Sequence, residues 1–182
     1  TDNSIAAIEQ RKREVGLPLQ TLQAINRAAL NPQDQLSYDL FLHNLLAEQE
    51  GNRFPGELMP ITQLSGIHQE APQLLADMPT AQPYQVEHIL GRLQGLPVAV
   101  DQTIELMRKG LAQGITPPQI TLRDIPEQIS NITPNNPLQS PLLEAFVTLP
   151  PTIPAEQATT FRERAVRLYR DDVAPAFRRL HD

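Results

Sequence analysis

Prolines at the starts of helical patterns constrain the fold of this chain more than any other feature. The sequence contains 18 prolines, and most of them fall between stretches of apolar periodicity. Proline suits the first turn of a helix, because the N–H group that it lacks has no partner there. Helix starts are predicted in this way at Asn31-Pro32, Thr116-Pro117 and Ile153-Pro154. The first of these helices is predicted to end at Gly51.

One stretch predicts both ends of a helix. Pro97 is expected in the first turn, and Gly114 is expected in the left-handed conformation that ends many helices. Apolar residues recur between these two positions at steps of three and four, which places them on one buried face. They are Leu96, Val100, Ile104, Met107 and Leu111.

Other segments complete an all-α prediction. The helix that begins at Pro32 has a wide apolar face, formed by Tyr38, Phe41, Leu42, Leu45 and Leu46, and is predicted to be central. Pro126 and Pro175 lie inside helical patterns and should kink or end their helices. Strand signals are almost absent. The sequence therefore predicts an irregular multi-helix bundle or array with long Pro-rich loops and no substantial sheet.

The domain prediction is one helical domain over residues 1–182, with residues 131–154 as a Pro-rich connection before the last long helix. This connection is expected to be a hinge, a linker or an extended wall. The chain begins without Met, and its apolar stripe is still in phase where the sequence stops at Asp182. We therefore expect a piece of a longer protein. The stripe consists of Phe161, Ala165, Leu168, Val173, Phe177 and Leu180.

Composition argues against several classes of function. The net charge of −6 and the absence of Trp argue against nucleic-acid binding, which usually needs a basic face and aromatic platforms. The absence of Cys excludes disulfides, thiol catalysis and cysteine zinc sites. No apolar run is long enough to predict a transmembrane helix.

Candidate chemistry in the sequence is sparse. Asp39 and His43 are four residues apart, and an ion pair is favoured over a pair of metal ligands. His68 and Glu70 are two residues apart and are predicted to belong to a solvated helix start rather than a metal site. Four arginines on the last helix alternate with acidic residues, which favours a solvated face over an anion-binding patch. No residue is predicted to be catalytic or to bind a metal.

Several blocks of the sequence resemble a known family. They are YDLFLHNL, NRFPGELMPITQLSG, QEAPQLL, YQVEHILGRLQGLPVAVDQTIELMRKGLAQGITPP and FRERAVRLYRDDVAPAFRRLHD. Tyr38, the turn of Pro60, Gln63 and Gly66, and the segment from Tyr84 to Pro118 match the family pattern in order and spacing. The chain resembles the N-terminal part of the bacterial domain of unknown function 885 family.

The resemblance implies a zinc metallopeptidase-like protein whose later half carries an HExxH-type segment. Two histidines of such a segment bind zinc, and its glutamate activates water. This chain has no His-Glu dipeptide, so no zinc ligand or catalytic residue is carried over onto it. Zinc is expected only in the full-length protein, and the partner of this fragment is the downstream catalytic half of the same protein. The resemblance also favours the bacterial cell envelope, periplasmic or lipid-anchored, and leaves a cytoplasmic location open.

The leading hypothesis is a non-catalytic helical domain that forms one wall of a substrate cleft. The irregular segment from Asn52 to Gly66 is expected to face that cleft. Arg53 is a candidate for pairing with a carboxylate of a peptide substrate, and Gln63 for bonding the peptide backbone, although a structural role in holding the turn is favoured for both. Tyr38 is a third candidate. The alternative is a self-contained helical module that docks a protein partner on an apolar stripe and has no enzymatic role.

Overall fold

The computed structural model describes residues 2–182 and confirms the all-α prediction. These residues form two compact units, one over residues 2–57 and the other over Leu58–Asp182. No strand is present among them, and the bridge between Thr62 and Ser65 is isolated. No helix in residues 2–182 is long and apolar enough to cross a membrane.

The first unit contains three helices, α1 (Ile5–Glu14), α2 (Gly16–Gln23) and α3 (Pro32–Gly51). Helix α3 begins and ends where the sequence predicts, and the Asn31 side chain caps it by accepting the N–H of Asp34 at 2.9 Å. Its predicted central position was wrong. Only one residue of its wide apolar face is buried, because the face packs on the eight-residue α2 around a small core. That core consists of Leu19, Leu22 and Leu45, with Tyr38 and Leu42 partly buried beside it.

The second unit contains seven further helices around one large core. They are α4 (Ile67–Asp77), α5 (Pro83–Gln113), α6 (Gln119–Leu122), α7 (Ile125–Ile132), α8 (Glu144–Val147), α9 (Ala155–Leu168) and α10 (Ala174–His181). The long helix α5 packs against α4, α9 and α10. Its buried face includes Leu96 and Val100 from the predicted stripe, whereas Leu111 is 70% exposed.

Helix α5 corrects the prediction that a helix begins at Pro97. The helix begins at Pro83, where the side chains of Gln82 and Gln85 form a capping box, and it continues through Pro97. The preceding turns contribute Val86, Ile89, Leu90 and Leu93 to the core, and their burial holds the helix together across the proline. The predicted end is confirmed, because Gly114 has a φ of 71°.

The two internal prolines have different effects. At Pro126 the predicted helix is divided, since α6 ends at Leu122 and α7 begins at Ile125 with the proline in its first turn. Pro175 follows a π-helical turn over Tyr169–Val173 that joins α9 to α10. The predicted apolar stripe takes a step of five residues at this turn, from Leu168 to Val173. The wider turn therefore keeps later members of the stripe on the core side of the chain.

Residues 131–154 pack into the large core. The chain forms short 3₁₀ turns at Pro137–Gln139 and Pro141–Leu143 before the single turn of α8. Leu142, Leu143 and Phe146 are fully buried. The Ser140 hydroxyl donates to the Ile132 carbonyl at 2.6 Å, which ties this segment to the end of α7. Burial of these apolar side chains, rather than rigid proline geometry alone, determines the path of the segment.

Candidate functional site: an apolar groove beside helix α5

An apolar groove of about 330 Å³ runs beside the C-terminal half of α5 in the second unit. Its floor includes Ile104 and Met107 of α5, and one wall is the segment from Leu58 to Ile61. The opposite wall comes from the loop after α5, with Ile115 and Pro117. The remaining lining residues are Arg108, Leu111, Thr116, Leu122, Arg179, Leu180 and Asp182. Few polar groups line the groove, so it suits an apolar side chain or ligand.

Gly110 allows the two walls to lie close to α5. A Cβ atom at this position would lie 2.6 Å from the Ile115 carbonyl oxygen and 2.8 Å from the Leu58 carbonyl oxygen. Both distances are too short for carbon and oxygen, so any larger residue would force the backbone of a wall to move. The Ile115 N–H also donates to the Gly110 carbonyl at 2.8 Å, which fixes the loop to the end of the helix.

A tight turn supports the wall formed by Pro60 and Ile61. The Thr62 N–H donates to the Ser65 carbonyl at 2.9 Å, and the hydroxyls of the same two residues are 2.8 Å apart. Gly66 ends the turn with a φ of 131°, a value that side-chain-bearing residues rarely adopt. The Gly66 N–H donates to the Glu70 carboxylate at 3.2 Å. The turn is thus bonded to the first turn of α4.

His68 lies behind this turn and is only 2% exposed, so the prediction of a solvated helix start was wrong. Its Nε2 atom lies 2.8 Å from the Oε1 atom of Gln128 on α7. Desolvation by burial lowers the pKa of His68, and the bond to Gln128 and the charge of Glu70 act in the opposite direction. Packing of α4 against α7 buries the imidazole, and this packing has no signature in the local sequence.

Charges lie only at the edge of the groove. Arg179 of α10 makes a bidentate ion pair with Asp101 of α5, with N–O distances of 2.8 and 3.0 Å from Nη2. Arg108 is exposed at the same edge, and no ion-pair partner of its guanidinium is found among residues 2–182. Asp182 lines the same edge and lies 3.2 Å from the His181 ring. The groove therefore combines an apolar interior with one unpaired cation at its edge.

Comparison with known protein families identifies the chain. The family model described as "Bacterial protein of unknown function (DUF885)" matches residues 1–182. The chain belongs to this DUF885 family. The family part of the resemblance is therefore confirmed. No curated protein matches the chain.

Three of the blocks by which this DUF885 protein resembles its family contribute to the groove. The first is NRFPGELMPITQLSG, which contains Pro60, and the second runs from Tyr84 to Pro118 and contains the C-terminal half of α5. The third is FRERAVRLYRDDVAPAFRRLHD, which contains Arg179 and Leu180. Gln63 of the first block donates from its amide to the Asp124 carboxylate at 2.9 Å. Arg123 donates to that carboxylate through Nε and Nη2 and lowers the pKa of Asp124, chiefly by hydrogen bonding. Gln63 thus bonds the turn to the start of α7.

The three predicted substrate-binding residues are not brought into one cluster within a unit. Tyr38 is half-buried and packs against the small core of the first unit. Arg53 is exposed in the same unit, and its Nη1 atom lies 2.6 Å from the Glu50 carboxylate. Gln63 belongs to the second unit, outside the residues that line the groove. Their roles in binding substrate stay predictions.

Two other sequence expectations concern charged side chains, and the structure gives the partners of these groups. The predicted ion pair between Asp39 and His43 was wrong, because Arg27 binds the Asp39 carboxylate in a bidentate pair. This pairing lowers the pKa of Asp39, chiefly through the side-chain hydrogen bonds. On the last helices, Arg162 donates to the carbonyls of Phe146 and Val147, and Arg164 pairs with Glu87 of α5. These two arginines join elements of the second unit.

The part of the chain that the structure describes contains no group of three or more His, Cys, Asp or Glu side chains placed to bind a metal. A zinc site needs three or four such ligands in tetrahedral geometry. The described residues do not fit a zinc ion, and we assign no zinc ligand to them.

Sequence reasoning missed the groove because its residues come from five parts of the chain, namely Leu58 to Ile61, α5, the loop after α5, α6 and the C-terminal residues from Arg179 to Asp182. The predicted apolar stripe of α5 contains Ile104, Met107 and Leu111, but it does not distinguish a groove from a core face. The expected cleft-facing segment Asn52–Gly66 does contribute Leu58 to Ile61 to the groove wall. A sequence signal for the close approach of the walls exists at Gly110, a helix-breaking residue inside a strong helical pattern.

Proposed function

We propose that this chain is a non-catalytic helical part of a zinc metallopeptidase-like protein and forms one wall of its substrate cleft. The apolar groove beside α5 carries this proposal. Peptide substrates need pockets that accept side chains, and such pockets are concave, mostly apolar and bordered by a few polar groups. The groove has this character, and three of the blocks that carry the family resemblance contribute residues to it. We propose that an apolar substrate side chain occupies it.

The catalytic zinc and its HExxH-type segment are proposed to lie downstream of this chain. When bound there, zinc would polarise the scissile carbonyl and activate water. The contribution of the present residues would be to bind and orient the peptide, which lowers the entropic cost of reaching the transition state.

A first experiment separates this fragment from catalysis. Residues 1–182 are purified and titrated with zinc, and peptide hydrolysis is measured with and without the metal. We expect neither stoichiometric tight zinc binding nor turnover. Tight binding or hydrolysis by this fragment would overturn the proposal. Translating the gene past Asp182 is a direct check, because an HExxH-type segment must follow.

A second experiment tests the groove in the full-length protein. Leu111→Lys places a charge at the groove, and Leu111 is exposed enough for the fold to tolerate the change. We expect a rise in KM for peptides with large apolar side chains, by roughly 10-fold or more, because burying an unpaired ammonium is costly. Val98→Lys is the matched control, since Val98 is 62% exposed on α5 outside the groove. Equal kinetics for the two variants would contradict the role of the groove.

A protein-interaction module remains the second candidate, and exposed apolar side chains of the first unit favour it. Leu17, Ile25 and Phe41 line a concave surface of about 430 Å³ in the first unit, and each is at least 44% exposed. Apolar surface of this kind is typical of docking sites. Loss of a full-length partner complex in Phe41→Ser, with normal peptidase kinetics, would assign a separate interaction role to the first unit.

A further inference from the structure

We propose that His68 is an acid-sensitive latch on the turn from Pro60 to Gly66, and that protonation of its imidazole releases the turn and the groove wall that it carries. The imidazole is buried between α4, α7 and this turn. Pro60 and Ile61, at the start of the turn, line the groove. The proposal concerns the turn itself and holds for any ligand of the groove.

The hydrogen bonds around His68 determine which nitrogen of its ring carries the proton. The Gln69 side-chain amide donates to the Gln63 carbonyl oxygen at 2.7 Å. Because a carbonyl oxygen can only accept, the amide atom that faces it must be the nitrogen of Gln69. The same Gln69 nitrogen lies 3.2 Å from the Gln128 side-chain oxygen, which must therefore be an acceptor. His68 Nε2 lies 2.8 Å from that oxygen and must donate to it. The neutral ring thus carries its proton on Nε2, and acid adds the second proton at Nδ1.

Within the part of the chain that the structure describes, the Nδ1 atom has no acceptor for the proton that acid would add to the ring. It is buried, and no hydrogen-bond partner for it is found among residues 2–182. Nδ1 packs against the turn at Gly66. A Cβ atom built on Gly66 would lie 3.1 Å from Nδ1, 3.1 Å from Ile61 Cγ1 and 3.2 Å from the Pro60 carbonyl oxygen. A protonated Nδ1 would be a buried cationic donor without an acceptor. Opening of the turn would expose that proton to water.

The surrounding charges do not compensate for an imidazolium. On α4, the Glu70 carboxylate favours the protonated ring, but desolvation outweighs it. Just before α7, Asp124 is paired with Arg123, and on α7 itself Glu127 is exposed. The turn from Pro60 to Gly66 has no titratable side chain. The charged or titratable residues of α8 and the adjacent half of α5 are all exposed, namely Glu144, Tyr84, Glu87, His88 and Arg92.

The sign of the pH dependence follows from the lowered pKa. A histidine exposed in the open state has a pKa of about 6.5, whereas the pKa of His68 in the closed state lies below that value. The open state therefore binds more protons as the pH falls below 6.5. The equilibrium constant for opening of the turn should therefore rise as the pH falls from 6.5 to the pKa of His68 in the closed state. The expected rise is up to about 10-fold for each pH unit.

Hydrogen exchange measured by NMR on residues 1–182 tests the latch. Protection factors, corrected for intrinsic exchange, are followed from pH 7 to pH 5 at the Thr62 and Glu70 amides, whose partners are the Ser65 and Gly66 carbonyls. We expect protection to fall by several-fold to 10-fold per pH unit at these amides. The Ile115 amide, which is bonded to Gly110, serves as the internal reference and should keep its protection.

His68→Gln should keep the donor toward Gln128 and abolish the pH dependence. His88→Gln is the matched control, because His88 is exposed and its ring makes a T-shaped contact with the Tyr84 ring, with centroids 5.7 Å apart. The ring titration of wild-type His68 gives a second result that does not depend on how a variant folds, and we expect a midpoint below 6.5. A midpoint at or above that value would overturn the proposal. So would protection that is constant with pH in the wild type, or equally pH-dependent in His68→Gln.

Discussion

Two glycines, Gly110 and Gly66, allow close packing at the groove and at the turn that carries one of its walls. Gly110 leaves room for two backbone carbonyls, and Gly66 leaves room for the imidazole, an isoleucine side chain and a carbonyl. Gly66 also adopts a backbone conformation that residues with a Cβ rarely reach. Both positions are therefore expected to tolerate substitution poorly, for steric reasons.

Gly66→Ala should lower the free energy of unfolding by about 1 to 3 kcal/mol, from backbone strain and close contacts together. Urea unfolding monitored by circular dichroism measures the change. Gly95→Ala is the matched control on α5, because a Cβ there meets nothing within 4 Å. It should raise the free energy of unfolding by about 0.5 to 1 kcal/mol through helix propensity. Unchanged stability in Gly66→Ala would contradict the expectation that a residue with a Cβ is strained at this position.

At the scale of elements, proline begins a helix at some positions and lies inside a helix at another. Pro32 and Pro83 begin helices α3 and α5, whereas Pro97 lies inside α5 and leaves the Leu93 carbonyl without its usual N–H donor. The start of α3 could be predicted because a capping Asn precedes the proline. The continuity of α5 through Pro97 could not, because burial of the preceding turns compensates for the lost hydrogen bond.

Pro97→Ala is expected to raise the free energy of unfolding by about 1 to 3 kcal/mol, because it restores a helical N–H and removes a steric clash. Pro83→Ala should have a smaller effect, since the first helical turn needs no such donor. The comparison uses urea midpoints and slopes for both variants. A loss of stability in Pro97→Ala would mean that packing of the proline ring outweighs the restored hydrogen bond.

At the scale of the whole molecule, the two units differ in the size of their cores. The first unit is built around three buried leucines, whereas the second has a continuous cluster that extends from Ile61 to Leu180. Local stability follows the amount of buried apolar surface. We expect amides of α2 and α3 to exchange with solvent faster than those of α5, as measured by hydrogen exchange with mass spectrometry.

Leu45→Ala tests the small core directly. Leu45 is 5% exposed, and its truncation should cost about 2 to 5 kcal/mol and remove most exchange protection in α2 and α3. Leu46→Ala is the matched control, because Leu46 is 45% exposed on the same helix, and its protection pattern should match the wild type. Equal loss of protection in both variants would contradict the assignment of the core.

The candidate site could be predicted only in part. The expected cleft-facing segment includes the wall from Leu58 to Ile61, but its sequence does not indicate which of its side chains line a groove. His68 was expected in solvent and is buried by α7, some sixty residues away in the sequence. The Asp39 carboxylate was expected to pair within its own helix and instead binds Arg27. In both residues, a partner outside the local segment determines the environment.

The sequence by itself determined the helical class, the capped start of α3, the end of α5 at Gly114 and the apolar stripe near the C-terminus. These features depend on contacts and backbone conformations within a few residues, which local residue types encode directly. Only the tertiary structure decided that α3 is largely exposed, that α5 runs through Pro97, and that five parts of the chain form one groove. Those features depend on which distant surfaces exclude water together, and the free energy of that burial belongs to no single segment.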